Sequence, residues 1–209
     1  MARQRAQRST VRRSPFKVTV LRETAWAALV AEMSTHGFRA VESSLRRMHP
    51  PAVQVVHLRY RTDRRARAVR FTIDLGVFFP QAYAKIRSLR ARKTPRPGTH
   101  DCMCTVRCNV GALLGPSMTE HWWTLRPGTG VDEVREAVND AVENAVVPWL
   151  DRFSNPRHSM DETDRLDAIA LALMLGDTDT ARRLTRLAEI ESPLSEKLHE
   201  WAKKRWLLT

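Results

Sequence analysis

The stretch "VRFTIDLGV", residues 69–77, alternates strictly: Val69, Phe71, Ile73, Leu75 and Val77 are apolar, while Arg70, Thr72 and Asp74 between them are polar. Period two is the pattern of a half-buried strand, because successive side chains of an extended chain point to opposite sides. The same reasoning makes "VQVVHLRYR", 53–61, a second strand with Val56, Leu58 and Tyr60 inward. Only "TDRRARA" separates the two runs, which is short enough for a hairpin loop. Arg59, Arg61, Arg64, Arg65, Arg67 and Arg70 therefore gather at one end of that hairpin and form the candidate binding residues.

Outward from the hairpin the period changes. "RETAWAALVAEMSTHG" sets Trp26, Leu29, Val30 and Met33 at helical spacing, with Gly37 as its left-handed stop. On the other side, "PQAYAKIRSLRARK" brings Tyr83, Ile86 and Leu89 onto one stripe of a short covering helix. Two further strands are expected at 102–110 and in "HWWTL", 121–125. "VDEVREAVNDAVENAVVPWL" then carries the valine stripe of a long helix whose end Pro148 disturbs. The fold class is α+β: an antiparallel sheet of four to six strands covered by helices 22–36 and 131–147, with a C-terminal helical extension. The expected domains are a disordered basic arm at 1–15, an α+β domain at 16–153 and helices at 154–209, the last containing one local hairpin unit rather than a repeat array.

Charge is unevenly distributed. Residues 1–107 hold 23 of the 35 Lys and Arg but only 6 of the 23 Asp and Glu. Such asymmetry suits an acidic partner, protein or nucleic acid, for the first half; the simpler account is compositional, the Arg- and Ala-rich usage of a GC-rich genome, without function. The longest apolar run, "AIALALML" at 168–175, is far below the roughly 20 residues that cross a bilayer, so no transmembrane segment is expected. The basic N-terminus is followed by no apolar stretch of signal-peptide type, and three clustered cysteines suit no disulfide framework. A cytoplasmic protein is expected.

"HDCMCTVRCNVG", 100–111, poses the metal question through His100, Cys102, Cys104 and Cys108. On a strand, Cys102, Cys104, Val106, Cys108 and Val110 share one face, the pattern of a core in which cysteine acts as a small hydrophobe. Structural zinc sites draw paired thiolates from tighter turns, so these four remain weak metal candidates and no cofactor is expected. The chain has no G-x-S-x-G elbow, phosphate-cradling glycine loop or H-E-x-x-H, and Ser117 with His121 forms no recognisable pair. Asp161, Glu162, Asp164 and Asp167 read as the acid-rich start of a helix. Of Trp122 and Trp123, one is expected in the core and one under the covering helix.

The first helix ending in "HGFRA", the strands "FTIDLGVFFP" and "CTVRCNVGALL", the "HWWTL" block and the helix "VDEVREAVNDAVENAVVPWLDRF" occur in an order that resembles domain of unknown function 4304, over roughly residues 16–153. The resemblance implies an α+β fold and brings no activity or catalytic residues with it. The leading functional expectation is a non-enzymatic binding or interaction module, an accessory partner of another bacterial protein. The alternatives are non-specific nucleic-acid binding through the basic half, and a metal-dependent protein built on His100 and the cysteines.

Overall fold

A computed structural model describes residues 17–89, 104–115, 120–191, 195–205 and 207–208. The expected basic arm, His100, Cys102 and Ser117 lie outside the described residues.

The elements run α1 (Val18–Thr35), β1 (Arg39–Val41), β2 (Ser44–His49), β3 (Ala52–Asp63), β4 (Ala68–Phe78), α2 (Pro80–Ile86), β5 (Val106–Asn109), α3 (Val110–Leu114) and β6 (Trp123–Leu125). Then come α4 (Val131–Ala141), a π-helical turn (Val142–Val146), α5 (Val147–Phe153), α6 (Pro156–Asp161), α7 (Arg165–Met174), α8 (Thr178–Glu191) and α9 (Ser195–Lys203). The six strands form one antiparallel sheet in the order β1-β2-β3-β4-β5, and β6 also pairs with β4. The α+β expectation holds, including the helices after the sheet domain. No helix among the described residues is long and apolar enough to cross a membrane.

One face of the sheet is the core predicted from period two. Val56, Leu58, Val69, Phe71, Ile73, Leu75 and Val77 are buried there with Leu21, Ala25, Leu29 and Met33 of α1 and Val134 and Val138 of α4. Gly37, at φ +80°, ends α1 as expected: its N–H and that of Phe38 return to Ser34 and Met33 carbonyls. The same continuous apolar cluster takes in Ile169 and Leu171 of α7, Ala181 of α8, and Leu198 and Trp201 of α9. Trp201 Nε1 donates to the Lys85 carbonyl at 3.2 Å, and Thr163 Oγ1 to that of Thr105 at 2.6 Å, so the C-terminal helices pack directly against α2 and the approach to β5.

Three expectations are corrected. The hairpin strands are longer than predicted: pairing continues through Asp63↔Ala68 and leaves a four-residue turn, 64–67, in which Asp63 accepts from Ala66 N–H and Arg67 adopts φ +50°. Beyond these strands, the segment after Gly37 forms a further hairpin, β1–β2, added to the edge of β3. The helix beginning at Val131 does not end before Pro148; it widens into the π turn and runs on as α5. Pro148 has no N–H for a carbonyl four residues back, and the wider turn precedes it. Finally, Cys104 leaves the face occupied by Val106 and Cys108. The backbone bends at Thr105, and Cys104 packs with Val55, Phe78 and Tyr83 on the opposite side of the sheet. That crossing requires glycine at 76, where a Cβ would lie 2.4 Å from Cys104 Sγ.

Phe71 is fully buried and stacks on Trp123 at 5.3 Å. Replacing it with alanine removes the centre of the core face, and Phe71→Ala is expected to lower unfolding free energy by about 3–5 kcal/mol in denaturant titration. Tyr60 supplies a pH-dependent check on α1 docking. Its hydroxyl donates to the Arg22 carbonyl at 3.3 Å, and burial pushes its phenol up to about 12, with the Arg22 charge acting in the opposite direction. A raised folded pKa means this contribution is complete below about pH 10 and lost as pH rises toward 12. In a Tyr83→Phe variant, the remaining phenolate absorbance should appear near pH 12, with stability falling over the same interval.

Candidate functional site

The other face of the sheet is polar in its middle and basic at one end. Register places His57 opposite Asp74, Arg59 opposite Thr72 and Arg61 opposite Arg70. On this face the series runs from the apolar Val55–Phe78 end, through Asp74 and Thr72, to the arginines at the hairpin tip.

Asp74 is the centre of the polar section, with its side chain only 12% exposed. Arg59 grips it with both prongs, Nε to Oδ2 at 2.8 Å and Nη2 to Oδ1 at 3.0 Å, a diagonal cross-strand pair of bidentate geometry. Asn109 Nδ2 donates to Asp74 Oδ1 at 2.7 Å and also reaches Thr72 Oγ1 and the Ile73 carbonyl. This side chain bridges a gap in the ladder, because β6 pairs with residues 69–71 of β4 and β5 with 74–77. Its Oδ1 accepts the Gly111 N–H and so caps α3. Gly111 itself lies against the backbone of Glu120 and His121, which a Cβ would strike at 2.3–2.6 Å.

That close approach delivers Glu120 and Trp122 to the arginines. Arg59 Nη1 donates to Glu120 Oε1 at 2.8 Å; Glu120 Oε2 accepts from Trp122 Nε1 at 3.0 Å and lies 3.6 Å from Arg61 Nη2. The guanidiniums of Arg61, Arg59 and Arg70 stand 4.5, 5.5 and 5.8 Å from the centre of the Trp122 ring. The bonds to Asp74, followed by those to Glu120, raise the Arg59 pKa, while Arg59 first and Trp122 second lower that of Glu120. The expected division of the two tryptophans is half right. Trp123 lies on the core side and donates to the Ala137 carbonyl of α4, but Trp122 lies among arginines, and among the described residues no helix covers it. The strand alternation of "HWWTL" predicted opposite faces; nothing local showed which partners Trp122 would meet.

The structure thus joins Arg59, Arg61 and Arg70 around one indole, and holds Arg64 and Arg65 exposed in the adjoining turn with Arg67 half-buried beside them. Arg64 and Arg65 form no ion pair among the described residues.

Behind Asp74 opens a cleft of about 450 Å³ lined by Cys108, Asn109, Glu162, Asp164 and Asp167 among others. Asp164 is the N-cap of α7 and accepts from the Asp167 N–H at 2.9 Å, as the acid-rich helix start predicted. Cys108 is half-buried; desolvation, then Asp74 and Glu162, raise its pKa, so at neutral pH it rests as a thiol rather than as the nucleophilic thiolate. Neither Cys104 nor Cys108 is in a disulfide, and neither joins a three-residue ligand cluster among the described residues.

These features define an α+β domain whose sheet carries an apolar core on one face and an Arg–Trp–carboxylate network on the other. The chain belongs to the DUF4304 family, a domain of unknown function whose family model matches residues 29–152. That span holds the whole network from Arg59 to Trp122, while α6–α9 lie beyond it. No curated protein and no solved structure matches the chain.

The network makes a thermodynamic prediction. Asp74→Asn keeps the shape but removes the charge that Arg59 and Asn109 address, and should cost about 1–2 kcal/mol, since hydrogen bonds to charged groups exceed neutral ones but Arg59 is partly solvent-screened. Urea titration checks it; an unchanged midpoint would mean that the pair is not formed in solution.

Proposed function

We propose that this chain is a non-enzymatic binding module and that the arginine-rich end of the β3–β4 hairpin receives an acidic partner, the phosphate backbone of a nucleic acid. One observation carries the reading: Arg61 and Arg70 are directly opposed in the ladder beside a turn bearing Arg64 and Arg65, with the Trp122 ring among them. Like charges facing across a strand pair are unfavourable. Between residues 61 and 70 the chain has five arginines and a single aspartate, and Asp63 is engaged by the turn backbone. A phosphate run would supply the missing negative charge, and a half-buried indole set among guanidiniums offers a face on which an unpaired base can stack.

Base stacking adds to phosphate contact within this proposal, because folding brings Trp122 to Arg59, Arg61 and Arg70 from more than fifty residues along the chain. The preference shifts toward single strands.

Fluorescence titrations against random-sequence single strand and duplex, at about 50 and 200 mM salt, test this. Log affinity should fall with log salt at about −0.9 per phosphate neutralised on duplex and about −0.7 on single strand. Arg64→Gln with Arg65→Gln should flatten the duplex slope by about two units. Trp122→Ala should weaken single-strand binding by about 1–3 kcal/mol while leaving the salt slope unchanged. Absence of binding at micromolar protein in the lower salt would defeat the nucleic-acid reading; binding of a polyglutamate peptide in its place would assign the surface to an acidic protein.

A further inference from the structure

Away from this face, on the seam between α1 and the helix that follows β6, Glu32, His36 and Glu143 converge. Each offers one donor atom, and the three atoms lie within 4.8 Å of one another. Glu32 stands in the last turn of α1 and His36, four residues on, caps its end, so the two lie one turn apart. Glu143 belongs to the π turn, which departs from the regular helical spacing at that point; such turns recur at functional positions in helices.

The polar groups here are poorly served by the protein. Glu32 is a carboxylate 5% exposed, and its bonds are long ones, 3.3 Å from Nε and Nη2 of Arg135, both to the same oxygen, Oε2. A buried carboxylate ordinarily needs closer compensation than this. His36 Nε2 is buried and has no hydrogen-bond partner; it lies 3.1 Å from Glu143 Oε1 but without the alignment of a hydrogen bond. An unpartnered imidazole nitrogen facing two carboxylates is the donor arrangement that a divalent cation completes.

We propose that Glu32, His36 and Glu143 bind a zinc-class divalent ion. One imidazole nitrogen with two carboxylate oxygens suits Zn²⁺, which takes such donors at about 2.0–2.2 Å. Closing the three atoms around an ion asks mainly for a rotamer adjustment of Glu143, whose side chain is 49% exposed. Arg135 holds Glu32 by Oε2 and leaves Oε1 for the metal. The solvent side at Glu143 leaves a fourth position for water, and the ion would clip α1 to the π turn. The site shares no residue with the arginine surface or with His100, Cys102, Cys104 and Cys108.

The test uses the full chain freed of metal by chelator and titrated with Zn²⁺ by calorimetry, and with Co²⁺ by absorbance. One equivalent should bind saturably, raise the melting temperature, and give a Co²⁺ spectrum without thiolate charge-transfer absorption. Glu143→Gln, at a half-exposed position that leaves the core intact, should weaken uptake about 100-fold or more, above the 10–100-fold typical of losing an outer partner. His36→Gln should do the same with an unchanged circular dichroism spectrum. The proposal is overturned by no saturable uptake at micromolar Zn²⁺, by uptake that both substitutions leave intact, or by a strong thiolate band, which would move the metal to the cysteines.

Discussion

Strand β4 is hydrogen-bonded on both edges and buried on both faces; of its eleven residues only Arg70 is exposed. Most other elements are positioned by one of those four sides. Its odd-numbered residues hold α1 and α4, one edge takes β3 from Val53 to Asp63, and the other is shared end to end by β5 and β6. Where β5 and β6 fail to meet, the backbone of β4 would lose a partner in a buried place, and the Asn109 side chain fills it through the Ile73 carbonyl. One amide thus completes the ladder, supports the Asp74 carboxylate and caps α3. The polar network is part of the sheet's own hydrogen bonding rather than an addition to its surface.

From that constraint follows the gradient along the second face. At the Phe78 end, Cys104 and Tyr83 close over the strand and demand glycine at 76. In the middle a carboxylate is tolerated at low exposure because Arg59 and Asn109 together address both its oxygens. At the hairpin end no helix among the described residues covers this face, and the side chains there are long, charged and outward. The apolar, tightly paired and loosely compensated parts of the face correspond to decreasing cover, and the least compensated charge lies at the exposed turn of Arg64 and Arg65.

What was legible in the sequence was the part set by local periodicity. Val69 to Val77 alternate, so β4 and its core face were readable; the Gly37 stop and the α4 stripe followed from equally local rules. What was not legible depends on contacts distant along the chain. Thr72, Asp74 and Gly76 look like a solvated strand face and are instead covered, Thr72 completely. Cys104 obeys the alternation of its neighbours in sequence but crosses the sheet at a bend that no residue type announces. Of the site, the arginine cluster was readable because a hairpin brings its members together. Glu120 and Trp122 were missed as its partners because they lie about fifty residues further on, and their delivery depends on the contact at Gly111. Glu143 is farther still from His36, and its placement requires a π turn, for which Pro148 was the only local sign.

The opposition of Arg61 and Arg70 is what separates the proposed binding surface from a merely solvated loop. A loop that is merely soluble gains nothing from an aromatic ring at its base, and two arginines could be spaced apart by one register step. Here the ladder fixes them opposite one another, and Glu120 compensates mainly Arg59, lying 2.8 Å from it but 3.6 Å from Arg61. With Asp74 already paired to Arg59, the network sets two carboxylates against three guanidiniums: Glu120 reaches Arg61 at longer range, and Arg70 has the Trp122 ring beside it. The π-face softens their repulsion without cancelling their charge. The hairpin end is therefore pre-formed as well as cationic: its two outer guanidiniums are held near one ring, and under the proposed reading less ordering would remain to oppose an anion docking between them.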